Sequence, residues 1–253
     1  MIALDLTGWL TLEVFHTLLV FTRVTAAFMM LPGFGEPAVP GRMRVLAGLA
    51  IAAAVAGAVP GMPAEVPGAW GTLLAVAGEA ISGVLLGTLA RTMVSGILVA
   101  GQVIGQNIGI GNIFAAGMAI DQAAVVGATL YAGLVAIMFA SGGHHVILRA
   151  LVESYALLPA ASLPNMPASA HAVMEAGVRC FRTGGQLAFP FLLLTFVFNS
   201  ALAIVNRALP SMPVLMIASP ALVVIGLYLL AATVPGLLSA GLNGWYDLPT
   251  LLR

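Results

Sequence analysis

The amino-acid sequence predicts an all-α, multi-helix, membrane-associated protein built from helical hairpins, and three observations carry that expectation. Only 7% of its 253 residues are Asp, Glu, Lys or Arg, where an ordinary soluble domain carries about 25%. Four stretches hold no charge at all: Thr92–Ile120, Gln122–Leu148, Thr183–Asn206 and Ala208–Tyr246. Each exceeds the roughly 20 residues an α-helix needs to cross a hydrocarbon core. Finally, 61% of the chain is hydrophobic, more apolar surface than a chain of this size can hide in one globular core, because its surface-to-volume ratio is too high.

The elements follow in order. An apolar helix is predicted from Leu10 to Leu31, crossed by Glu13 and Arg23 and stopped at Pro32-Gly33, with Pro37, Pro40 and Gly41 prolonging the break. A short helix follows from Arg42 to Val59, whose Ala-rich run Ile51–Ala58 favours close helix contacts over lipid. Pro60–Pro67 reads as a loop. A long helix starts near Ala69 and reaches at least Val103, about 50 Å if unbroken. Ile104–Asp121, with several glycines and little period, is expected to be a loop or broken helix. Gln122–Ala140 is apolar and helical, Ser141-Gly142-Gly143 interrupts it, and His144–Leu158 reads as another helix before the Pro159–Pro167 connection. Ala168–Leu209 is a second long helix in which Pro190 removes one backbone donor and is expected to kink it. Met212–Val234 supplies a final apolar helix, disturbed near Pro213 and Pro220, and the tail after Gly236 carries Trp245-Tyr246, a pair suited to a membrane interface. Five or six apolar hairpin arms result.

Bulk properties exclude several classes. The net charge is zero, so nothing suggests a nucleic-acid surface or a polybasic lipid clamp. The single cysteine, Cys180, leaves no internal disulfide and no cysteine-cluster metal site. Met1–Trp9 holds Asp5 and no basic residue, so it lacks the positive start of a cleaved signal peptide, and the first apolar segment is expected to be retained. Arg42 and Arg44 favour a cytoplasmic loop, which puts the N-terminus outside.

Polar groups recur at helical spacing inside the apolar segments. Glu79, Gly83, Gly87 and Arg91 lie four apart on one face of the long helix. The glycines permit close backbone approach, and the charges mark a face turned to protein or water. That face reads as an inter-subunit seam or pathway wall, or as an internal seam whose charges meet partners elsewhere in the chain. Thr195, Asn199, Ala203 and Arg207 form a second stripe, which another helix or water should cover. His171, Glu175 and Arg179 form a third. Arg23 within the first apolar helix is a candidate interhelical anchor. In Gly101, Gln102, Gly105, Gln106 and Gly109, glycine brings flexibility and close apposition. The carboxamides there and on Asn107 can donate and accept hydrogen bonds to a passing backbone without carrying charge. A constriction in a protein-conducting path would use such chemistry, and so would an inward-facing loop sealed by other helices.

Familiar reaction chemistry is not readable. His144 and His145 are adjacent and point apart on a helix, and His16 and His171 are distant in sequence, so no metal-ligand spacing appears. No phosphate-binding loop is present and no lysine exists to serve one. Cys180 beside Arg179 and Arg182 is more simply a packing residue than a nucleophile. The sequence therefore calls for no cofactor and no enzymatic centre, and any driving force for transport comes from elsewhere.

Arg23, then Pro32-Gly33-Phe34-Gly35, then Val39-Pro40 before Arg42 and Arg44, give an ordered set of motifs. It continues through Glu79, Gly83-x-x-x-Gly87, the Gly101–Gly109 segment, Asp121, Gly142-Gly143-His144, Ser154-Tyr155, Pro159 and Asn206-Arg207-x-x-Pro210. The combination resembles the FliR family of flagellar type III export-gate subunits over nearly the whole chain. Two departures stand out: Pro213-Val214-Leu215 replaces the family's late Asn-Val-Phe-like run, and Gln122 rather than proline follows Asp121. The related virulence-type injectisome subunits share the same plan, and a small-molecule permease would use similar buried stripes.

The resemblance implies a structural subunit, a P-like plus Q-like fusion. Residues 1–165 would be N-terminal hairpins with a central plug loop, and residues 166–253 a C-terminal hairpin. Such a subunit joins several P-type and Q-type subunits in a helical gate, later engaged by a B-type switch protein and working with an A-type export component. Unfolded rod, hook and filament proteins pass through its centre. Its surroundings would be lipid, or detergent after extraction, and no nucleic acid. By the same resemblance Gln102, Gly105, Gln106, Asn107, Gly109, Ile110, Ile113, Phe114 and Gly117 fall in the plug region, with the isoleucines and Phe114 as an apolar gasket. Arg23, Arg42, Glu79, Gly83, Gly87, Arg91 and Arg207 fall on assembly or interhelical seams.

Overall fold

A computed structural model describes residues 6–109, 122–208 and 214–246, and every regular element among them is helical. The order is α1 (Leu6–Met30), α2 (Gly41–Val55) with a 3₁₀ turn at Ala56–Ala58, α3 (Ala69–Asn107), α4 (Gln122–Ala140), α5 (His144–Glu153) with a 3₁₀ turn at Ser154–Ala156, α6 (Met166–Ala208) and α7 (Val214–Tyr246). The all-α expectation holds. Ile110, Ile113, Phe114 and Gly117 lie outside the described residues.

Three expectations are corrected. Ile104–Asn107 is not a loop but the last turn of α3: isoleucine and the small glycine faces pack on neighbouring helices, and that packing outweighs low helix propensity. Gly236–Tyr246 is not a tail but the end of α7, which runs on through Pro235. Trp245 is consequently 1% exposed and sits inside the protein rather than at an interface.

Among the described residues, five helices are long and apolar enough to cross a membrane: Leu10–Met30, Gly41–Ala58, Ala69–Asn107, Met166–Ala208 and Ala218–Tyr246. The apolar pair Val125–Ala140 and His144–Ala156 is bent by 76° at its break and makes a sixth only if the two are taken as one span. The break falls where Gly142 adopts φ 75°, a left-handed conformation that costs glycine nothing. At 43 residues α6 is about 64 Å long, twice a hydrocarbon core of about 30 Å.

The chain divides into two compact units. One comprises Met1–Thr92, Ser141–Ala176 and Tyr246–Arg253, the other Met93–Ala140 and Gly177–Trp245. In the first, α1 is the centre: Phe15 and Leu19 pack with Ala75 of α3, backed by Met62, Val76 and Ala161. His16 Nε2 lies 2.8 Å from the Pro63 carbonyl and ties the Pro60–Pro67 loop to α1. After α1 the chain folds back so that Phe34 stacks on Phe28, with centroids 4.5 Å apart. Gly48 of α2 rests against Thr25, yet most of α2 is exposed, so its Ala-rich run makes fewer close contacts than its composition suggests. In the second unit glycines set the packing. Gly101 abuts Gly127 backbone to backbone, Gly184 meets Val99 and the Gly96 carbonyl, and Gly241 takes the Leu134 side chain.

Candidate functional site: a buried ion-pair seam and a polar cavity

Arg23 is fully buried in α1 and cannot remain unpaired there, because an isolated charge out of water is costly. Its Nε donates to Glu79 Oε2 at 2.6 Å, and Glu79 is equally buried. The rest of the guanidinium fork is used as well. Nη1 donates to Ser154 Oγ at 3.2 Å and Nη2 to the Leu158 carbonyl at 3.0 Å. The Tyr155 ring lies 3.6 Å below Cζ, a cation–π contact. Glu79 is satisfied in turn: the Tyr155 hydroxyl donates to Oε2 at 3.3 Å and the Ala161 N–H to Oε1 at 2.8 Å. Ala161 holds φ 59° to do this, a left-handed conformation disfavoured for alanine. The network therefore joins α1, α3 and the chain from Ser154 to Ala161.

The glycines beside Glu79 close the same seam. A Cβ on Gly83 would run into the Arg23 carbonyl and stand 2.9 Å from Ala26 Cβ, and one on Gly87 would be 2.7 Å from the Ala27 carbonyl oxygen. Arg23, Glu79, Gly83 and Gly87 are thus brought together and covered by the chain's own elements. Arg91, next on the face, is exposed, as are Arg42 and Arg207. Arg207 sits in the last turn of α6, where a cation complements the helix dipole. Sequence reasoning singled out Arg23 and Glu79 but missed that Ser154, Tyr155 and Ala161 complete their coordination. The sequence reading ran one helix from His144 to Leu158, whereas the α-helix ends at Glu153 and Ser154–Ala156 forms a 3₁₀ turn, so nothing local marked the pair.

The second locus lies wholly within the other unit. A cavity of about 400 Å³ opens between the end of α3, α6 and α7. Its polar wall is Gln106, Asn107, Thr195, Asn199 and Ser219, and Phe198, Leu202 and Ile108 supply much of the apolar wall. Gly109 ends α3 at φ 74°, with its N–H on the Gln106 carbonyl. Thr195 Oγ1 of α6 donates to the Asn107 carbonyl at 3.2 Å, and Asn107 Nδ2 donates to the Val103 carbonyl at 2.8 Å. Two patterns that the sequence offered separately, the glycine–carboxamide segment and the Thr195/Asn199 stripe, thus face one space. Gln102 is exposed on the same helix and Gly105 is buried.

Among the described residues no three His, Cys, Asp or Glu side chains stand close enough to hold a metal. Cys180 is buried with its sulfur 3.3 Å from Ser95 Oγ. These features define an all-α protein of membrane-length helices in which a buried Arg–Glu pair closes one helix seam and neutral hydrogen-bonding side chains line a cavity. Residues 14–247 match the family described as bacterial export proteins, family 1, and the chain belongs to that family. Flagellar biosynthetic protein FliR of Caulobacter vibrioides is 31% identical over 228 residues, covering 89% of this chain and 90% of that protein. The proteins of the same name from Aquifex aeolicus and Escherichia coli K12 are 28% and 27% identical, covering 86% and 90% of this chain and 84% and 86% of their own lengths.

Proposed function

We propose that this chain is a structural, pore-forming subunit of the flagellar type III protein-export gate, held in the bacterial inner membrane at the flagellar basal body. Unfolded rod, hook and filament proteins are its cargo. The observation that supports this most is the family match over residues 14–247, on a chain whose helices are of membrane length. The subunit works without catalysing a reaction of its own. Its partners are P-type and Q-type gate subunits, a B-type switch protein and an A-type export component.

Within the gate, Gln102, Gly105, Gln106, Asn107 and Gly109 carry the near side of a plug that Ile110, Ile113, Phe114 and Gly117 complete. Arg42, Arg91 and Arg207, being exposed, serve as contacts to neighbouring subunits, while Arg23, Glu79, Gly83 and Gly87 shape the subunit itself.

Native mass spectrometry of a gently extracted, tagged complex from the source cell tests the assignment. A defined complex of one copy of this chain with several P- and Q-type subunits is expected; a complex lacking them, or a monomer carrying a small solute, counts against it. Shortening Gly105–Gly117 is expected to leak small ions before it abolishes assembly, and normal conductance in such an assembled variant removes the plug assignment.

A further inference from the structure

We propose that Asn199 and Thr195 of α6 join Gln106 and Asn107 of α3 in a docking site for the main-chain amides of an extended polypeptide. The proposal rests on the export-gate reading and adds α6 to a path which that reading draws along α3 and the residues after it.

The chemistry of the cavity wall selects the ligand class. The 400 Å³ space falls within the range of ligand pockets, about 300–1,000 Å³. Its polar groups are carboxamides and hydroxyls, and no charged side chain is among the described residues that line it. The carboxamides of Gln106 and Asn199 each offer two donor hydrogens and an acceptor oxygen. Asn107 spends Nδ2 on Val103 and keeps its own amide oxygen, and Thr195 gives its proton to the Asn107 carbonyl and keeps acceptor capacity.

A peptide group carries one donor and one acceptor, and leaving them unpaired in apolar surroundings costs several kcal/mol. A polypeptide passing between apolar helices needs a wall that supplies both roles without holding charge. Side-chain amides do that for any sequence, because the main chain is common to all of them. A charged wall would instead sort cargo by its side chains. Phe198, Leu202 and Ile108 complete the surface with apolar contact indifferent to sequence.

The test uses the full chain in its native membranes, with a photo-crosslinking residue at position 199 or 106 and an exported protein stalled by a folded C-terminal fusion. A crosslink to the stalled protein from both positions is expected. Asn199→Leu is expected to lower export of several unrelated cargo proteins alike, by about fivefold, the scale of one lost hydrogen bond. Asn199→Gln, which restores a carboxamide, should recover most of it, with chain levels equal in all three. A crosslink from 106 and none from 199, or an Asn199→Leu defect confined to one cargo, overturns the proposal while leaving the export-gate reading intact. Export that continues when the whole chain is deleted overturns the reading itself.

Discussion

Arg23 shows how a single charge is made tolerable in an apolar helix. Its guanidinium is planar and presents a fixed fork of donors, and the structure uses Nε and both terminal nitrogens on three different acceptors. Removing one member of a buried pair strands the other. Arg23→Met or Glu79→Gln is therefore expected to destabilise the purified chain by about 3–5 kcal/mol, while replacing both residues by methionine should return most of that loss. Thermal unfolding in detergent reads all three; a double variant no more stable than the singles would show that the pair shapes the seam beyond cancelling charge. Tyr155 separates two contributions. Tyr155→Phe keeps the ring under Cζ and loses only a long hydrogen bond of 3.3 Å, so a loss of about 1 kcal/mol or less is expected. Tyr155→Leu also removes the cation–π contact and should cost about 2 kcal/mol more. Equal losses in the two variants would refute the ring's part.

At the scale of elements, glycine decides which helices can approach. Gly87→Val places a branched side chain against Ala27 and Met30 and is expected to drive α1 and α3 apart, seen as rapid proteolysis of the loop between them. Gly185 of α6 has nothing within 4 Å, so Gly185→Ala should raise helix stability by about 0.5–1 kcal/mol. If the first is tolerated and the second harms stability, the seam lies elsewhere. The Glu79–Gly83–Gly87 face was legible in the sequence because period four on a helix is a local rule. Its partner was not, since Arg23, Ser154, Tyr155 and Ala161 come from distant parts of the chain and only the fold brings them to Glu79. The boundary near Ile104 failed for the opposite reason. Glycine-rich sequence weakens an isolated helix, but Gly101 against Gly127 and Gly226 against Ile108 turn the missing side chains into close packing. The helix expected to end at Val234 runs on through Pro235, since in a membrane-length helix neighbouring groups can satisfy the carbonyl that proline leaves unpaired.

On the scale of the whole molecule, the apolar surface that remains is as informative as the core. On α6, Phe181 and Phe196 are 71% and 70% exposed, and Phe189 and Ile204 lie open as well. A monomer in water would not keep so much contiguous apolar area uncovered. Either lipid tails or neighbouring subunits cover it, and the two differ in how a probe reaches it. Cys180 is the chain's one cysteine and is buried, so the native background for thiol labelling is low and Phe196→Cys supplies a single reporter. In the detergent-purified chain that thiol should react readily with a small maleimide. In the assembled complex, a neighbouring subunit would block both the aqueous maleimide and a membrane-dissolved, photoactivated carbene probe. A lipid-facing position would also resist the maleimide, because a thiol in hydrocarbon does not ionise to the reactive thiolate, but it would be labelled by the carbene, which needs no thiolate. Protection from both is the expected result: α6 is twice as long as a bilayer core is thick, and Arg179 and Arg182 are exposed among its apolar residues, an arrangement that protein surfaces can satisfy along its full length and hydrocarbon cannot.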